Sequence, residues 1–135
     1  MASFDEHCRD CERLLGDRCE EVNHWLDAGF KRFGPLHRFW RHHWRGVDEV
    51  EKLFGALGRS AAIVHILKDC GHVPKAREWA DGQSVDSLGM KPGGKFNGYW
   101  DTEQFDKVAT GHLNLDDVRR KGQTAATGAS SLIIG

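Results

Sequence analysis

Between residues 4 and 54 the apolar positions return every third or fourth residue. Phe4, Cys8, Cys11 and Leu15 form one series, Cys19, Val22, Leu26, Phe30 and Phe33 a second, and Leu36, Trp40, His43, Val47, Val50 and Phe54 a third. That interval places side chains on one face of an α-helix, whereas a half-buried strand needs strict alternation. The fold is therefore expected to be all-α, a single helical bundle with about five helices in residues 3–80.

Start and stop signals divide the pattern. Ser3 with Glu6 has the form of a capping box and Gly16 suits the position after a last turn, so the first helix is expected over 3–15. Asp17 with Glu20 opens a second helix within 17–33, ended by Gly34-Pro35. Pro35 then starts a third over 35–54, Ser60 and Gly71 bracket a fourth, and Pro74 opens a short fifth to Trp79. The stretch "DGQSVDSLGMKPGGKFNGYW" holds five glycines and a proline, too many for a helix, so 81–99 reads as a loop. Helical signals resume over 100–121, as two short helices meeting near Gly111 with Asn114 capping the second. Residues 122–135 form a small-residue tail whose Leu132, Ile133 and Ile134 would dock on a neighbouring chain, which implies a homo-oligomer.

The 135 residues suffice for one core, and 39% hydrophobic against 29% charged residues argues against wholesale disorder. A net charge of -1 means that any attraction for nucleic acid must be local. The longest apolar run, "AAIVHIL", is far below the roughly 20 residues that cross a bilayer, and the N-terminal residues lack an apolar signal core. No membrane association and a cytoplasmic location are expected. Cys8, Cys11, Cys19 and Cys70 then read as reduced thiols, and the lone C-x-x-C of Cys8 and Cys11 as core thiols on a helix.

The segment "GPLHRFWRHHWRG" concentrates three of the eight histidines. On a continuous helix His43 falls within the apolar stripe, while His37 and His42 lie about 140° apart around the axis and cannot meet one ion without help from neighbours. The neighbours offer it. His24 and Asp27 are three apart, His65 and Asp69 four apart, and His7 adds another imidazole. Imidazole and carboxylate converging from several helices are the usual ligands of zinc, iron or manganese in a bundle. We therefore expect a divalent transition metal held among His24, Asp27, His37, His65 and Asp69, with His7 and His43 as further polar members of the site. Such an ion would lower the pKa of bound water, and His42 is the candidate general base, which together suggest a metal-dependent hydrolase of small or phosphorylated substrates. The alternative is a non-enzymatic assembly or binding protein in which the same His/Asp network fixes helix packing.

The blocks "HCRDCERLLG", "VNHWLD", "LHRFWRHHWRG", "LFG" and "HILKDCGHVPKAREW" resemble a family of small bacterial and phage-associated helical proteins of unknown function. Its pattern includes His-Trp-x-Asp, His-Arg-x-x-x-His-His-x-x-Gly and His-x-x-x-Asp-x-Gly-x-x-Pro, and the resemblance covers about residues 7–79. It implies a shared polar site at His7, His24, Asp27, His37, His42, His43, His65 and Asp69. One position departs, since Ile63 stands where many members carry Glu.

A competing signal comes from Lys31, Arg32, Arg38, Arg41 and Arg45, interleaved with Phe33, Phe39, Trp40 and Trp44 and free of acids, the makeup of a nucleic-acid face. Residues 5–27 oppose it with eight acids against three arginines, so the two segments could equally pair with each other. No phosphate-binding loop, nucleophile elbow or H-E-x-x-H occurs, and "KPGGK" reads as a turn.

Overall fold

A computed structural model of the chain describes residues 3–29, 31, 41–76 and 101–113. The fold is all-α: four helices and no strand are delineated among the described residues, α1 (Phe4–Leu15), α2 (Glu20–Leu26), α3 (Trp44–Cys70) and α4 (Thr102–Thr110). The first helix forms where its signals lie. Ser3 Oγ accepts from the Glu6 N–H while Glu6 Oε1 accepts from the Ser3 N–H, both at 3.1 Å, and Gly16 closes the other end in the left-handed region.

The third and fourth expected helices are corrected. Residues 44–70 form one element that changes direction at Gly55, whose φ of 85° and ψ of -173° only glycine adopts readily. A break there lets the helix resume before Ser60, so Ser60 is an interior residue rather than a start. The helix also begins at Trp44 instead of Pro35. His43 is its N-cap in extended conformation, with Nδ1 accepting from the Gly46 N–H at 3.0 Å, so it is not a mid-helix member of the apolar stripe. Gly46 is the cause: a Cβ there would lie 2.0 Å from the Arg41 carbonyl oxygen, and the chain can fold back on itself only without one. Residues 32–40, most of the expected fifth helix beyond residue 76, and the expected helix after Asn114 lie outside the described residues.

The core joins α1, α2 and α3 through Cys11, Leu15, Val22, Leu26, Val47, Val50 and the nearly continuous buried run Ala61–Leu67. Such a run on both sides of the helix means that the second half of α3 is enclosed by its neighbours. α4 is pinned to this core by Phe105, which has no exposure, and by Asp106, which accepts from Arg13 Nε at 2.9 Å and Nη2 at 2.7 Å. Four free cysteines agree with the expected thiols, three of them buried. No helix among the described residues is long and apolar enough to cross a membrane.

Candidate metal centre

The enclosed part of α3 carries two polar side chains on one face, one helical turn apart. His65 has no exposure and Asp69 is 5% exposed, and burying a charge there requires compensation. Three other segments supply it. α1 contributes His7, the middle of α2 contributes Asn23 and its C-cap Asp27, and the turn before α3 contributes His42.

His65 Nε2 lies 3.1 Å from Asp27 Oδ1 and 3.4 Å from Asp69 Oδ2. His42 Nε2 lies 3.1 Å from Asp69 Oδ2 and 3.9 Å from Asp27 Oδ1. One ligand atom from each of Asp27, His42, His65 and Asp69 thus falls within 4.8 Å of every other, the span of a single coordination sphere. His7 stands behind them, its Nε2 3.3 Å from Asp69 Oδ1 and its ring stacked on that of His65. Asp27, whose side chain is 23% exposed, is the member of this set that reaches solvent.

Asn23, which the sequence reading did not single out, fixes the orientation of His65. Its Nδ2 donates to the carbonyls of Arg18 and Cys19, each at 3.1 Å, so its Oδ1 must be the atom that faces His65. That oxygen accepts from His65 Nδ1 at 2.7 Å, which places a proton on Nδ1 and directs Nε2 at the two carboxylates. The available signal was the i,i+4 spacing of Asn23 and Asp27, but a buried amide is indistinguishable from a surface one in sequence.

The electrostatics follow from this arrangement. Burial alone would lower the His65 pKa, yet its contacts with Asp27 and Asp69 overcome that and raise it to about 9. Burial raises that of Asp69, but contacts with His42, His65 and His7 hold the carboxyl well below its usual range. Burial lowers His42 to about 3, and burial together with the His65 charge lowers His7. The cluster therefore sets the Asp69 carboxylate against the His65 imidazolium, while His42 and His7 are neutral bases.

The other expected site residues are dispersed. His24 is exposed and stacks on Phe4 with ring centroids 4.1 Å apart, whereas Asp27, whose N–H bonds the Asn23 carbonyl, shares the inward face of Asn23 four residues before it. His43 serves as the helix cap, and His37 lies outside the described residues. His42, expected as a general base, has no solvent exposure and stands in the ligand set itself.

Of the basic residues, Lys31 and Arg45 are exposed, and Arg32 and Arg38 lie outside the described residues. Arg41 turns back, its guanidinium 3.9 Å from the Trp25 ring centroid and its Nη1 donating to the Trp25 carbonyl at 2.6 Å. It ties the turn that bears His42 to the end of α2 that bears Asp27. Arg41 and Arg45 also line a surface cavity of 390 Å³ with Trp25, His43 and Glu49.

No protein-family model, characterised protein or solved structure matches the chain.

Proposed function

We propose that this protein is a divalent-metal-dependent hydrolase of small, phosphorylated substrates, with Asp27, His42, His65 and Asp69 as metal ligands. The observation that carries the reading is the convergence of two imidazole nitrogens and two carboxylate oxygens within 4.8 Å, from three separate segments, in a buried site. A mixed nitrogen and oxygen set suits zinc, iron or manganese. When bound, such an ion supplies Lewis acidity and a water of lowered pKa.

The chain's own groups divide the remaining work. Asn23 keeps His65 Nε2 directed inward, Arg41 holds the His42 turn against α2, and neutral His42 needs no deprotonation before it can ligate. Asp27 marks the side from which substrate enters, since its side chain is the exposed one of the four ligands.

A second reading has one observation in its favour. With a proton on Nε2, His65 can bridge Asp27 and Asp69 as an imidazolium, and the network would then be a packing device of an assembly protein. Metal content separates the two. Protein purified without chelator should carry stoichiometric zinc, iron or manganese, melt higher on adding that ion, and cleave aryl phosphate esters only when loaded; Asp69→Asn should abolish all three effects. Wild-type protein that neither retains nor responds to any of these ions is the packing device instead.

A further inference from the structure

The four-ligand centre leaves one imidazole without a task. His7 has no solvent exposure, and neither of its ring nitrogens has a hydrogen-bond partner among the described residues. Its 3.3 Å contact with Asp69 Oδ1 is within ion-pair reach but is not aligned as a hydrogen bond. A buried polar group so placed recovers only part of its lost hydration from the polypeptide, which leaves its nitrogens available to a bound ion.

The placement of the ring indicates what that is. His7 and His65 are stacked with centroids 3.5 Å apart and planes 13° from parallel. Both direct Nε2 at one carboxylate, but at different oxygens: His7 faces Asp69 Oδ1, whereas His65 at 3.4 Å and His42 at 3.1 Å face Oδ2. A carboxylate that bridges two ions divides its oxygens in this way. Most buried histidines have an aligned partner for at least one nitrogen.

We propose that the centre is dinuclear, with Asp69 bridging one ion held with Asp27, His42 and His65 to a second ion held by His7. The inference rests on the metal-binding reading above and narrows its substrate class. Two adjacent ions clamp the attacking and leaving oxygens of an in-line displacement, which suits phosphate esters and anhydrides better than carboxylic esters or amides.

The test counts ions. Metal-free full-length protein titrated with manganese(II) should bind two ions per chain and give the exchange-coupled paramagnetic resonance signal of a manganese pair. His7→Gln should bind one ion, lose the coupled signal and keep its affinity for the remaining ion within a few-fold, and helical dichroism would establish that it folds. Wild-type saturation at one ion overturns the dinuclear proposal and leaves the four-ligand centre standing. Binding of none overturns both. Two coupled ions in folded His7→Gln would remove His7 from the site, and if that variant fails to fold, the wild-type count and coupling alone decide.

Discussion

Asn23 Oδ1 accepts the proton of His65 Nδ1 at 2.7 Å, a contact between the middle of α2 and the middle of the enclosed half of α3. Because the Asn23 amide is itself held by two backbone carbonyls, it acts as a fixed clamp on the tautomer of a candidate ligand. Replacing it should weaken metal binding without removing a ligand: Asn23→Leu is expected to lower affinity by about 10–100-fold, the range for such outer partners. Asn23→Asp, which still accepts from Nδ1–H, should recover part of that loss. Cobalt(II) titration followed by visible absorption measures both, and equal affinity in wild type and Asn23→Leu would remove Asn23 from the site.

The metal-free protein should be most stable near pH 6.5 and lose stability on both sides. His65 is raised from 6.5 to about 9 in the fold, so its contribution is complete below 6.5 and fades as pH rises through 9. His42 is lowered from 6.5 to about 3, so its neutral burial is favourable above 6.5 and opposes folding increasingly as pH falls toward 3. Asp69, held low, adds to the acid loss. Melting temperatures in chelator from pH 4 to 10 report this directly, and a curve still rising through pH 9 contradicts the His65 assignment.

Metal binding should have the opposite slope to the alkaline limb. An ion at His65 Nε2 must displace the proton that Asp27 and Asp69 stabilise there, so affinity should climb about tenfold per pH unit below pH 9, with one proton released per ion at this position. Calorimetry in buffers of different ionisation enthalpy counts the proton. Binding that releases none would place the ion elsewhere.

Gly46→Ala tests the turn that delivers His42. A Cβ at 2.0 Å from the Arg41 carbonyl cannot be absorbed by a side-chain rotation, because the carbonyl is backbone and the Cβ position is fixed by the backbone. The turn must open, costing about 1–3 kcal/mol as overpacking does and displacing His42 from Asp69. Gly58→Ala would crowd the Phe54 and Val50 side chains instead, so it should reduce urea stability while leaving metal affinity intact. Gly46→Ala protein with unchanged affinity would show that the turn does not position the ligand.

α4 offers a control that supplies none of the four ligands. Phe105→Ala should cost about 3–5 kcal/mol, since it empties a fully buried aromatic position against the core. Metal affinity in the folded protein should stay within a few-fold. A large loss of affinity at constant fold would mean that α4 contributes to the centre.

Helical class, the capped first helix and the inward face shared by His65 and Asp69 were legible in the sequence, because each depends on residues within a turn or two of one another. The same local reading misplaced His43 and Ser60. A 3.6-residue rhythm persists through "FWRHHWRGV" and past Gly55, yet the backbone breaks at both places. Only tertiary structure decided those breaks, since Gly46 matters through its approach to the Arg41 carbonyl and Gly55 through a direction change that buries the second half of α3. The same holds for the centre. Composition indicated many imidazoles and carboxylates, but which of them meet depends on which helix faces are covered: Asp27 lies on the buried Asn23 face of α2, and His24 stays outside on Phe4. Asn23 and His7 acquire their roles from contacts 42 and 58 residues away along the chain, to His65, and no pattern local to either residue encodes such a separation.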